Sequence, residues 1–506
     1  VEGLASIAAG LRTAFLRTDY TADGVLELLG ADAHSALGRG EPVPVRRACD
    51  DGGELGVLIR LLLLGDTCAT RDVAAALKPV AVDDAIAAGM LDPDGDGVRA
   101  AIDVRPVDFG SGSRWLFSDL DGSMRRLDIT DDHVLGVGQA SLSLLRATAT
   151  DAVGTLLDIG TGCGVQALHA ADFAAHVTAT DITSRSLAMT RAGVAINNID
   201  AARVTLARGA WFGPVGGSRF DRIVANPPFV VGPPTVTHTY RDSGLDLDGA
   251  SELMCRNAPG FLTEGGTASM LASWTITGDD WRERVAGWIP DHGVDAWVVQ
   301  RDVADPALYV GTWLRDAGHD LRDRVAADLA DRWLTHLDKA GVQGIGFGFV
   351  FLRRTDEPSD LLAEELSQAF DDPLGPEAAD YLHRVEWLRD RDLGSERFTV
   401  RGGAALERVA TLTAEDGWQD VVMRLHRGDG PRWSHEIDGL GQALLAGLRP
   451  DGLSLDEVSE LLSMATGSDP IDPAQLHTLI EGLVRHGIVL PADWDSASRK
   501  PSVHSQ

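Results

Sequence analysis

At 506 residues the chain exceeds one ordinary domain and predicts roughly two to four. Its 44% hydrophobic content is ample for buried cores, and the longest tight apolar run, Val57 to Leu64, is far too short to cross a bilayer, so no membrane partner is expected. A formal net charge of −31 disfavours a polyanionic partner unless a local basic patch offsets it, because nucleic-acid binders gain affinity by neutralising phosphates.

The N-terminus carries no basic, then apolar, then small-residue leader pattern, so a cytoplasmic location is expected. Cys49, Cys68, Cys163 and Cys255 lie far apart without a CxxC pair, which argues against a disulfide framework or a zinc site.

In chain order, residues 1–110 read as an N-terminal helical module, and its second half has a winged-helix pattern. Glu54 to Leu64, Thr70 to Leu77 and Val82 to Met90 read as helices, and Val98 to Phe109 alternates as one strand. The turn before that strand places Asp92, Asp94, Asp96, Gly97 and Asp103 at positions one, three, five, six and twelve of a calcium loop. Position twelve lacks the bidentate Glu, and Arg105 to Phe109 reads as extended, not helical. A hairpin turn is therefore expected, and no metal.

Residues 111–355 read as an α/β domain. Seven strands are expected, at Thr155–Ile159, His176–Thr180, Arg203–Ala207, Phe220–Ala225, Gly266–Ser273, Val294–Gln300 and Gly344–Leu352. After Arg354 comes a linker rich in Asp, Glu and Pro. Residues 356–492 form a C-terminal module ending in a helix-turn-helix pattern near Leu440–Leu448, Leu455–Met464 and Ala474–His486. Arg384, Arg389, Arg391, Arg397, Arg401, Arg408, Arg424, Arg427 and Arg432 make it arginine-rich, with interspersed acids. Residues 493–506 read as a disordered tail.

Two motifs carry chemistry. Leu156-Leu157-Asp158-Ile159-Gly160-Thr161-Gly162-Cys163-Gly164 is an apolar strand running into a glycine turn and a helix. Glycines allow close backbone approach to a ligand, and the helix start offers oriented N–H groups. Asp181 ends the next strand, where a carboxylate can accept ribose hydroxyls. Asn226-Pro227-Pro228-Phe229 follows the fourth strand directly. The prolines stiffen the turn and hold still two acceptors, the Asn226 side-chain oxygen and the Pro227 carbonyl. Two fixed acceptors suit a nucleophile with two N–H donors, and Phe229 can stack on a flat group beside it.

Asp-Ile-Gly-Thr-Gly-Cys-Gly, then Asp181, then Asn-Pro-Pro-Phe resembles class I S-adenosylmethionine-dependent methyltransferases. Within them it resembles the "small" group, which contains ribosomal guanine-N2 enzymes and release-factor glutamine methyltransferases. The resemblance covers about residues 130 to 355 and implies a seven-stranded Rossmann-like sheet, flanked here by winged-helix-like modules. It implies S-adenosyl-L-methionine as cofactor, with Asp158, Gly160, Thr161, Gly162 and Gly164 along its methionine part, Asp181 on the ribose, Ile182 on the adenine, and Asn226 also among the cofactor contacts. Ala210 stands where relatives often have an acidic or polar residue, and Gln139 and Ser141 stand where relatives wrap the cofactor. Asn226, Pro227, Pro228 and Phe229 are the expected catalytic residues. Tyr240 and Arg241 are substrate candidates, with a plain solvated loop as the alternative for them, and His238 reads as an exposed loop residue. Phe at 229 favours an exocyclic base amine of RNA as acceptor. A protein glutamine, for example in a release factor, presents the same planar NH2, and the acidic charge favours it. A small-molecule acceptor and a non-catalytic binding protein stay open.

Overall fold

The computed structural model describes all residues except 121–129, 236–241, 317, 371, 415–416, 468–471 and 495–506. The chain divides into two compact units. One contains Val1–Leu145, Ala152–Val294 and Gln300–Ser359, and the other Arg146–Asp151, Asp295–Val299 and Asp360–Gln506. The expected tail lies almost wholly outside the described residues.

The central sheet has eight strands: β1 (Val153–Ile159), β2 (Ala174–Asp181), β3 (Val204–Arg208), β4 (Phe220–Ala225), β5 (Leu262–Ile276), β6 (His292–Ala304), β7 (Gly344–Pro358) and β8 (Leu361–Glu365). Their order is β8-β6-β7-β5-β4-β1-β2-β3. All seven expected strands are present, but the expected count of seven is corrected to eight. β8, with residues 295–299 of β6, belongs to the second unit and falls in the stretch read as a linker. β1 to β5 pair in parallel, whereas β7 runs antiparallel to β5, from Thr267 opposite Arg353 to Ile276 opposite Gly344. Leu156, Leu157 and Ile223 to Ala225 are buried, as expected of parallel strands covered on both faces. Between β1 and β4 the strand order reverses direction, the point at which such sheets open a crevice.

The N-terminal helices share the first unit's core. In the helix Leu4–Arg17, buried Leu4, Ala8, Leu11 and Phe15 recur at helical spacing and join a cluster that includes Met189, Ala192 and Ile196 of the helix Ser184–Ile196. Asn197, just after the latter helix, exchanges hydrogen bonds of 3.0 and 2.8 Å with the backbone of Trp115. The helix expected at 54–64 is Gly53–Leu58 continued by a π-helical turn, Ile59–Leu63. The single strand expected at 98–109 is two strands. Gly97–Ala100 lies between Cys68–Ala69 and Leu91–Asp94, and Asp103–Asp108 pairs instead with Ser113–Ser118. The break comes at Ala101, whose amide turns to the Met90 carbonyl. The Asp92–Gly97 turn is a hairpin pairing Asp94 with Gly97, and Gly95 takes a φ of 58° that suits glycine. Asp94 accepts the Thr67 hydroxyl there. Among the described residues no group of His, Cys, Asp and Glu could hold a metal ion, and no helix is long and apolar enough to cross a membrane.

In the second unit the strand Phe398–Val400 pairs with Val489–Pro491, and a long hairpin joins Ala405–Thr413 to Gly417–His426. Three helices follow: Gly439–Gly447, Leu455–Thr466 with a Ser454/Glu457 capping box, and Pro473–Arg485. Six of the nine arginines of the arginine-rich stretch are paired with acids. Arg384 and Arg427 are buried against Glu377, Arg389 pairs with Asp295, Arg391 with Glu396, Arg401 with Asp429, and Arg424 with Glu407 and Glu436.

Candidate active site

The C-terminal ends of β1, β2 and β4 border a cavity of about 340 Å³. Gly160, Gly162 and Gly164 take φ values of 72°, 55° and 87°, a region closed to most side chains. The amides of Gly160 and Thr161 donate to the Thr180 carbonyl at 3.0 and 2.9 Å, which pins the turn to the end of β2. A Cβ on Gly164 would meet Thr190 at 3.0 Å, and one on Gly160 would lie 3.9 Å from the Asn226 carbonyl oxygen. The glycine turn and the Asn-Pro-Pro-Phe turn therefore lie against each other.

Asp181 lines the cavity. Its Oδ1 accepts both the Thr183 amide at 2.9 Å and the Thr183 hydroxyl at 3.2 Å, and its Oδ2 accepts the Gly162 amide at 3.0 Å with capacity for a further donor. Ile182, beside it, is an aliphatic side chain left 52% exposed on the cavity wall. Ala210 and Trp211 form another part of the wall, in a turn whose Gly209 amide donates to the Asp181 carbonyl.

Asp158 sits beneath the glycine turn and accepts the Ala167 amide at 3.1 Å. Burial pushes its carboxyl up to about 7, opposed by the Thr161 hydroxyl and the Ala167 amide and helped by the charge of Asp181. One neighbouring oxygen, Gln166 Oε1, is buried on the cavity lining without a hydrogen-bond partner. An unpaired buried acceptor costs about 1–3 kcal/mol, so Gln166 Oε1 points to a ligand donor here.

Beside the glycine turn, Asn226 Nδ2 donates to Ser141 Oγ at 3.3 Å, which leaves the Oδ1 edge of the amide as an acceptor. Gln166 Nε2 holds the Ser141 carbonyl at 2.8 Å. Past the prolines, Ser273 donates to the Phe229 carbonyl, and the Val231 amide donates to the Tyr309 hydroxyl, both at 2.6 Å.

Asp158, Gly160, Thr161, Gly162, Asp181, Ile182, Ala210, Asn226, Pro227, Pro228 and Phe229 thus all line one cavity. Gly164 caps the following helix behind it. Gln139 does not line it: this residue begins the helix Gln139–Arg146 exposed, and its neighbours Gly138, Ala140 and Ser141 line the wall instead. Tyr240, Arg241 and His238 lie outside the described residues. Sequence reasoning missed Gln166, Ser273, Tyr309 and Trp313. A glutamine inside the apolar run Val165 to Leu168 signals Gln166. The other three meet the site through distant segments, without a local signal.

Residues 135–276 match the family model of the methyltransferase small domain. Residues 17–101 and 379–491 each match a model described as a domain of unknown function. The chain is 33% identical over 150 residues to a ribosomal protein uL3 glutamine methyltransferase of Bradyrhizobium diazoefficiens, covering 28% of this chain and 46% of that protein. It is 30% identical over 140 residues to a ribosomal RNA small subunit methyltransferase C of Erwinia tasmaniensis, covering 27% and 36%. The chain thus spans about half, or less, of the length of these relatives. Among solved structures, a T. thermophilus 16S rRNA N2 methyltransferase in complex with AdoMet and guanosine matches at 19% identity and a TM-score of 0.26, over 36% of this chain and 48% of that one. The methyltransferase small domain match thus accounts for residues 135–276 of the chain, which hold both the glycine turn and the Asn-Pro-Pro-Phe turn.

Proposed function

We propose that the protein is an S-adenosylmethionine-dependent N-methyltransferase acting on a planar NH2 group, and that the group is an exocyclic base amine of RNA. The observation that carries this reading is the abutment of the glycine turn and the Asn226–Phe229 turn on one cavity. The cavity residues suit the cofactor. Gln166 Oε1 is an acceptor for an ammonium, Asp181 for ribose hydroxyls, and Ile182 is an apolar face for the adenine.

When bound, S-adenosylmethionine supplies a methyl group already activated for transfer. The chain's own residues do the rest. An NH2 conjugated to a ring or carbonyl is a poor nucleophile because its lone pair is delocalised. Asn226 Oδ1 and the Pro227 carbonyl can each accept one of its protons, and these bonds strengthen as the nitrogen pyramidalises. Ser141 restrains the Asn226 amide, while Ser273 and Tyr309 hold the backbone that follows, so positioning needs little reorganisation.

A protein glutamine is the second reading. The net charge of −31 and the neutralised arginines of the second unit favour it, as does the name of the Bradyrhizobium relative. Both readings make the partner a component of translation and the location cytoplasmic. We also infer winged-helix-like modules on either side of residues 111–355. At 1–110 the support is the sequence of strand, two helices and hairpin between Cys68 and Ala100. At 356–492 it is the three helices closed by Val489–Pro491. Mass spectrometry of RNA and protein from a deletion strain against its parent tests the reading. A methyl missing from one base amine is expected. A methyl missing from a glutamine instead selects the second reading, and no difference in either pool overturns both.

A further inference from the structure

Two helices, Pro306–Asp316 and Arg324–Lys339, are inserted between β6 and β7, outside residues 135–276 that match the methyltransferase small domain. They are fastened to the segment just after Phe229. Tyr309, Val310, Leu314, Trp333 and Leu337 form one buried cluster with Val230 and Val231. The Val231 amide donates to the Tyr309 hydroxyl, and a Cβ on Gly232 would come within 3.3 Å of the Trp333 ring. From this base Trp313 reaches the cavity, packed edge-on against Tyr309 with ring centroids 6.2 Å apart. Because its helix is fixed to Val230 and Val231, Trp313 belongs to the Asn226 end of the cavity, while Asp181, Ile182 and Ala210 form the end assigned above to adenosine.

We propose that the two-helix insert is the acceptor-recognition element of this enzyme and that Trp313 gives a second aromatic face, besides Phe229, to a nucleobase whose NH2 is held by Asn226. The proposal rests on the reading of this cavity as a methyltransferase site. A base has a π-face for each ring to meet and gains from stacking regardless of its identity, whereas a glutamine side chain offers only its small carboxamide plane. The insert also ties recognition to chemistry, since the helix that carries Trp313 carries the Tyr309 hydroxyl that holds the catalytic loop.

The test uses the full chain, labelled S-adenosylmethionine, and total RNA and total protein from a strain lacking the gene. Wild type is expected to label RNA. Trp313→Ala should raise the KM for that RNA by roughly tenfold or more, as expected for loss of a base–aromatic stack. Calorimetry should show S-adenosylmethionine affinity within about twofold of wild type, because only acceptor binding has been touched. Trp313→Phe should restore most of the KM and Trp313→Leu should not; should the Ala variant fail to fold, this pair decides. An unchanged KM in Trp313→Ala, equal rescue by Phe and Leu, or label entering protein alone overturns the proposal. A wild type that does not bind S-adenosylmethionine fails at the underlying reading instead.

Discussion

Each unit buries charged and polar groups, and the two do so in opposite ways. In the second unit Glu377 is saturated. Oε1 accepts from Arg384 and Arg427, Oε2 accepts from Arg427, and Asp429 takes a further bond from Arg427. Burial pushes the Glu377 carboxyl up, but Arg384 and Arg427 outweigh it and hold it below its ordinary range. In the first unit no cation is among the groups that shift Asp158, burial takes it to about 7, and the Gln166 Oε1 oxygen nearby is left without a donor. A buried polar cluster that closes on itself is a clasp, whereas one with an open acceptor on a cavity is a candidate binding site.

The largest expected effect is on the clasp. Glu377→Ala strands two buried guanidinium groups and should cost about 3–5 kcal/mol in chemical denaturation. A loss below about 1 kcal/mol would mean that water reaches these groups and that the cluster is a surface pair. Next, Asp181→Ala should weaken S-adenosylmethionine by about 1.5–3 kcal/mol in calorimetry, as for hydrogen bonds to a charged group. Equal affinity would remove the ribose assignment.

The smallest effect is a slope, and it separates the clusters by sign. The folded pKa of Asp158 is raised, so its stabilising contribution is complete below about 3.9, the ordinary value, and is lost as pH rises through about 7. The slope is at most about 1.4 kcal/mol per pH unit. Glu377 behaves oppositely: its folded pKa is depressed, so its contribution is present above about 4.3 and lost as pH falls through the lower, folded value. In melting profiles, Asp158→Asn should flatten the decline between pH 5 and 7 without changing the acid limb. An unaltered profile would contradict the burial of an uncompensated carboxyl.

What the sequence revealed follows the same division. The strands that position the cavity were legible because continuous apolar runs end in Gly160, Asp181 and Asn226, and residues at strand ends sit where ligands bind. β8 was not legible. Leu361-Leu362-Ala363-Glu364-Glu365 reads as linker, and it becomes a strand by lying next to β6, far earlier in the chain, where Trp297 Nε1 also donates to Glu364 at 2.7 Å. The interspersed acids around the arginines of the second unit were visible, but not which of them pair, since Arg427 meets Glu377 across 50 residues. Trp313 escaped for the same reason, since its helix meets the Asn-Pro-Pro-Phe loop only through tertiary packing.

The central claim is that Asn226 accepts a proton of the acceptor amine and does not hold the cofactor. It is tested most directly by Asn226→Ala, with methyl transfer to the physiological acceptor and S-adenosylmethionine affinity measured on the same preparation. Turnover should fall by the equivalent of about 2–4 kcal/mol, the loss expected for one preorganised polar contact made in the transition state. Cofactor affinity should hardly change, because Thr161, Gln166 and Asp181 come from other segments. Near-normal turnover, or a loss confined to S-adenosylmethionine affinity, would contradict the account.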